Sequence, residues 1–165
     1  SLKINPKDAY VLNYLAYSWL ERDYKINEAI KMLEKAYSSK SNDPYIIDSI
    51  GWAYYLVDDY SKAEKFLKRA VELMPDDPIV NDHYGDILWK MNRKIQARYF
   101  WRNVLSMDDA EDEMIENINN KIIYFKKFMA CVLLSNYVIG IKLCLIILII
   151  CSTMRSHYMK KENFS

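Results

Sequence analysis

Histidine and cysteine are the scarce reactive side chains of this 165-residue chain, with two of the first and three of the second. His83 stands beside Asp82 and Asp86, and an imidazole among carboxylates has the makings of a general base. No recognisable motif brings a Ser or Cys nucleophile to it, so a structural or ligand-contacting role is the stronger reading. His157 lies near the C-terminus, and Cys131, Cys144 and Cys151 all fall in an apolar stretch at that end. Their spacing fits neither a disulfide framework nor a zinc site. Asp108, Asp109, Glu111, Asp112 and Glu113 put five carboxylates in six residues. Such a run can hold a cation, but acidic residues also collect at the positive end of a helix, and that reading is preferred. There is no glycine loop for phosphate and no hydrolase elbow. The expectation is a protein without catalytic, cofactor or metal sites.

The elements that would position any site are helices. Only 3 Gly and 4 Pro stand against a turn-rich all-β chain, and 52% hydrophobic with 27% charged residues fits a folded body. Fourteen tyrosines promise aromatic surfaces. Residues 1–124 carry 17 Lys and Arg against 21 Asp and Glu, a net of −4. Residues 125–165 carry 6 against 1, a net of +5. An acidic body argues against nucleic acid as a partner.

Sliding the chain by 34 residues lays Pro44 on Pro78, Asp48 on Asp82, Gly51 on Gly85, Ala63 on Ala97 and Phe66 on Phe100. The same slide lays Ala29 on Ala63, Leu33 on Leu67 and Ala36 on Ala70. Further upstream the slip becomes 35, which locates one extra residue in the Asp23–Asn27 turn. Ile47, Ile50 and Tyr54, like Leu12, Leu15 and Trp19, recur at helical spacing. Asp43-Pro44 and Asp77-Pro78 each set a capping side chain before a helix-starting proline. Each copy is therefore a helix pair, near 9–22 with 26–39, 44–57 with 60–73, and 78–91 with 94–106. One pair cannot bury its own apolar face, so the pairs must stack.

The second copy reads Ile47, Ile50-Gly51, Tyr54, Ala63, Leu67, Ala70, Pro75. In these positions the chain resembles the tetratricopeptide repeat family. The third copy keeps the pattern from Asn81 and Tyr84-Gly85 to Trp101 and Val104 but has Asp109 at the usual proline, and the first has Ser41 there. The resemblance implies an all-α fold, a right-handed superhelix of antiparallel helix pairs, with repeats bounded at 9–43, 44–77 and 78–111. Residues 1–8 look like the end of a preceding repeat, as in a C-terminal fragment of a longer bacterial-type protein of the family. Ile115, Ile118 and Ile122 follow at helical spacing and suggest a capping helix over 112–127.

Residues 128–154 are a separate problem, followed by a basic end at 155–165. Between 128 and 151 nearly every residue is apolar, a length that can span a bilayer. Lys142 interrupts it at about 2.5–3.5 kcal/mol near a helix centre, and several Ile and Leu at about −0.3 to −0.6 kcal/mol each offset that. Two readings stay open. The stretch is a transmembrane helix that makes the protein membrane-associated, with single-pass association and the repeats on an assembly factor. Otherwise it is a spurious tail on a decaying gene, and the repeats are soluble and cytoplasmic.

In proteins of the resembled family, the first helix of each pair lines a concave groove that holds a peptide or a partner helix. Carried onto this sequence, the inward positions are Tyr10, Asn13, Tyr17 and Leu20, then Tyr45, Asp48, Trp52 and Tyr55, then Ile79, Asp82, Asp86 and Trp89. Chaperone-binding members clamp a terminal carboxylate with Lys, Arg and Asn there. This chain has Asp48, Asp82 and Asp86 instead, and only Asn13 and Lys90 keep something of that set. The expectation is no carboxylate clamp, but a protein or peptide partner that is basic or aromatic. Trp52 and Tyr55 have a second reading as packing between neighbouring helices, and Tyr54 and Tyr84 belong to the core.

Overall fold

A computed structural model describes residues 8–136. Among the described residues there are seven α-helices and no strand. They are α1 (Ala9–Leu20), α2 (Ile26–Ser39), α3 (Pro44–Leu56), α4 (Tyr60–Leu73), α5 (Pro78–Lys90), α6 (Lys94–Val104) and α7 (Asp112–Asn136). The first six form one compact unit with residues up to Asp112, and α7 belongs to a second unit that starts at Glu113. Residues 1–7, read as the end of an earlier repeat, lie outside the described residues. So do His157, Cys144, Cys151, the basic end, and the apolar stretch from 137 onward. Among the described residues no helix is long and apolar enough to cross a membrane. The helix read as ending near 127 runs on to Asn136.

The starts of the first helices follow from the aspartates in front of them. Asp8 accepts from the amides of Tyr10 and Val11, Asp43 from Tyr45 and Ile46, and Asp77 from Val80. These bonds satisfy donors that a helix N-terminus otherwise leaves open. Pro44 and Pro78 then occupy a first-turn position where no amide is needed. Replacing Asp43 with alanine is expected to lower stability by about 0.5–2 kcal/mol, as a shift of the urea midpoint at unchanged slope.

Within each pair the turn is sharp. Asp58 and Asn92, one repeat apart, both take left-handed backbone, with φ of 59° and 63°. Asp and Asn tolerate that region better than most residues. The first turn holds the extra residue and spends two left-handed positions on it, Asp23 and Lys25.

Alternating helices then stack in order: α1 packs on α2, α3 on α4 and α5 on α6, while α2 meets α3, α4 meets α5, and the first helices meet one another. The second helix of each pair contributes a fully buried stripe, Ala29, Leu33 and Ala36, then Ala63, Leu67 and Ala70, then Ala97, Trp101 and Val104. Gly51 and Gly85 let α3 and α5 approach those stripes, over Leu67 and Trp101. Asn81, fully buried where the second copy has Ile47, is explained by its amide, which donates to the carbonyls of Pro75 (2.8 Å) and Asp77 (2.9 Å) and fastens the turn before α5. Tyr54 and Tyr84 are buried, as expected of core residues.

Candidate functional site

The first helices α1, α3 and α5 lie side by side, and their facing side chains form one polar and aromatic cluster. Its centre is His83 on α5. The ring Nδ1 sits 3.0 and 2.9 Å from the two oxygens of Asp48 on α3. The imidazole lies flat on Trp52, with centroids 4.1 Å apart and planes at 13°. Trp52 in turn stacks on Tyr55 at 4.6 Å and 12°. The ammonium of Lys90 stands 5.7 Å from the centre of the Tyr55 ring. Three near-parallel rings from two helices thus end at a lysine on one side and a buried imidazole on the other.

Electrostatics tie the remaining helix in. Burial acts first on His83 and disfavours its charge, but Asp48, by charge and hydrogen bond, and then Asp82 and Asp86 outweigh it. The net effect holds the His83 pKa above its ordinary value. On α1, burial and then the Asp48 carboxylate push the Tyr17 hydroxyl well above the usual range, with further repulsion from Glu21, Asp77 and Asp82. Tyr17 and His83 therefore both answer to Asp48 and Asp82. Asn13, one turn earlier on α1, keeps a buried side-chain oxygen with no hydrogen-bond partner.

Not all of the expected positions fall in this cluster. Tyr10, Tyr45 and Ile79 are exposed near the starts of their helices. Tyr17, Trp52, Tyr55, Asp82 and Asp86 are half-buried around the centre. Trp89 lies at the far end of α5, against Trp101 and under the Lys94 ammonium at 3.8 Å. Two expectations need correction. Leu20 is 3% exposed and belongs to the core. Asp48 is only 5% exposed and bonded to His83, so it is not an open groove carboxylate. Asp86 also has an internal partner, since the Trp101 indole N–H donates to it at 3.1 Å. Trp52 packs between α3 and α5 and is half-buried, not closed off.

His83 stood out in the sequence, but its partner did not. Asp82 and Asp86 are its neighbours in sequence, yet its bond goes to Asp48, 35 residues upstream. The slide carried the signal, because the residue after each aligned aspartate is Ser49 in one copy and His83 in the next. Among the described residues no group of three His, Cys, Asp or Glu is placed to hold a metal ion.

Comparison with known proteins gives this arrangement a context. A family model described as tetratricopeptide repeat matches residues 46–77. A TPR repeat-containing protein of Pseudomonas aeruginosa is 33% identical over 81 residues, which cover 49% of this chain and 14% of that protein. The protein bimA of Emericella nidulans is 24% identical over 90 residues, 54% of this chain and 11% of its own length. The chain thus spans a small part of the curated relatives it matches. Among solved structures, the second TPR of Spaghetti bound to the HSP90 peptide SRMEEVD has a TM-score of 0.56 at 16% identity, covering 63% of this chain and 95% of that one. The type III secretion translocator chaperone SycD of Yersinia enterocolitica has a TM-score of 0.63 at 13% identity, covering 72% and 91%.

Proposed function

We propose, from the premise that this chain belongs to the tetratricopeptide repeat family, that it is a binding scaffold and not a catalyst, and that the face of α1, α3 and α5 receives a basic or aromatic segment of a partner. On this reading the stacked pairs form a right-handed superhelix with that face inside. The observation that carries the proposal is the Tyr55–Trp52–His83 stack, with Asp82 and Asp86 half-buried on the same face. Half-buried, rigid rings anchor a partner at low entropic cost, and the acidic side chains favour a cationic one. The Spaghetti structures hold a peptide ending in Glu-Glu-Val-Asp. Asp82 and Asp86 on this face favour the opposite charge, so we read no carboxylate clamp here.

The test uses the full chain against immobilised peptides with blocked ends, one set rich in Arg and Trp and one ending in acidic residues. The basic aromatic set is expected to bind. Trp52→Ala is expected to weaken it by about 2 kcal/mol, roughly thirtyfold in Kd, and Asp82→Lys to slow its association. Undiminished binding by both variants, with helical circular dichroism intact, would move the site off this face. Preferential capture of the acidic set would refute the charge argument.

A further inference from the structure

We propose that the groove beside the turn from α4 to α5 is a second docking site, which takes an arginine side chain of a partner protein. The groove has a volume of about 540 Å³, and its walls include Leu73, Met74, Pro75, Asp76, Ile79 and Asp109. None of these belongs to the Tyr55–Trp52–His83 stack, so the inference goes beyond the face discussed above. Leu73 and Ile79 leave 45% and 44% of their surface to solvent, and Asp76 and Asp109 are exposed beside them. Apolar walls with carboxylates suit a ligand that has an aliphatic stem and a cationic head, as a long basic side chain does.

The repeat itself shows which basic group fits. At the preceding turn, from α2 to α3, the guanidinium of Arg69 on α4 donates to the side-chain oxygen of Asn42 at 2.8 Å. The slide of 34 carries Asn42 onto Asp76 and Arg69 onto Asn103. One repeat on, the acceptor has become a carboxylate and the arginine that served it has become a shorter, uncharged side chain. The same step turns Ser39 and Lys40 into Leu73 and Met74. The second turn has thus lost two cations and gained apolar wall and negative charge.

Among the described residues no lysine or arginine pairs with Asp76 or Asp109. Asp77, the next residue, is occupied in capping α5, so Asp76 is the carboxylate that meets the incoming head, in the place where Asn42 meets Arg69. A guanidinium offers a carboxylate two parallel N–H bonds, which an ammonium cannot, and this favours arginine over lysine. The stem of the arginine then lies along Leu73, Pro75 and Ile79.

The experiment is biolayer interferometry with the blocked peptide acetyl-Ala-Leu-Arg-Leu-Ala-amide on the sensor and the full chain in solution. A twin peptide carries citrulline, the uncharged counterpart of arginine. The arginine peptide is expected to bind roughly fivefold tighter than its twin. Asp76→Asn is expected to erase that difference. Asn103→Arg gives the third copy the arginine that the second has at position 69, and is expected to weaken the arginine peptide by a similar factor, because the new side chain takes Asp76. Trp52→Ala is expected to change neither peptide's binding. Failure of both peptides to bind, equal binding of the two, or an arginine preference that survives Asp76→Asn would overturn the proposal. A preference that disappears with Trp52→Ala would put the arginine on the α1–α3–α5 face and overturn it as well.

Discussion

Replacing Asp48 with asparagine is expected to reverse the pH dependence that His83 imposes on stability. In the native chain the folded-state pKa of His83 lies above its ordinary value of 6.5. A base whose pKa is raised by folding contributes stability that is complete below 6.5 and disappears as pH climbs through the raised value. In Asp48→Asn the strongest opposing charge is gone while the burial remains. Burial disfavours the imidazolium, so the folded pKa drops, and the variant gains stability as pH rises toward 6.5 and beyond. Below the window the variant holds a buried cation without its partner and is expected to lose about 3–5 kcal/mol. Above it the asparagine oxygen can accept from a neutral ring, and the loss shrinks to about 1 kcal/mol. Urea unfolding of both full-length proteins between pH 5 and pH 9 reads the difference directly. Parallel curves would mean that His83 does not titrate against Asp48.

That pair also marks where sequence reading stops. Helix starts, the two-helix repeat and the buried stripes were legible because each rests on local chemistry or on a period. Asp43-Pro44 caps a helix whatever surrounds it, and Ala63, Leu67 and Ala70 recur at a spacing that only a helix packs on one side. The extra residue before α2 follows from the change of slip in the same way, whereas the left-handed backbone at Asp58 and Asn92 shows only in the structure. Side-chain partners between neighbouring repeats are different. Which face of α5 meets α3 depends on a few degrees of rotation set by all the packing beneath. A position that reads as groove-lining, such as Asp48, therefore ends up 5% exposed and bonded across the interface. Leu20 failed likewise, because the last turn of α1 points into the core. Asn81 stood against the apolar pattern for a reason that needs coordinates, namely two carbonyls of the preceding turn within reach.

The close approach of α3 to α4 gives the other large effect. A Cβ on Gly51 would lie 2.8 Å from both Cγ and Cδ2 of Leu67 and 3.1 Å from the Leu67 amide nitrogen. Leu67 is fully buried, so it has no open space to turn into. Gly51→Leu is expected to cost about 1–3 kcal/mol by overpacking, even after the roughly 0.5–1 kcal/mol a helix gains on losing a glycine. Leu67→Ala alone opens a cavity and is expected to cost about 2–5 kcal/mol. Combined, the two substitutions exchange large for small across one contact. The double variant is expected to be more stable than the sum of the singles predicts by about 0.5–3 kcal/mol. The rescue stays incomplete, because the amide nitrogen at 3.1 Å cannot retreat unless α4 moves. Additive losses in urea unfolding would show that Gly51 and Leu67 do not share this space. The equivalent exchange at Gly85 and Trp101 offers less relief. The Trp101 ring, which a Cβ at position 85 would approach to 2.5 Å, also donates its N–H to Asp86. Removing it leaves that half-buried carboxylate without the bond, so Gly85→Leu with Trp101→Ala is expected to recover a smaller share of the loss than the pair at 51 and 67.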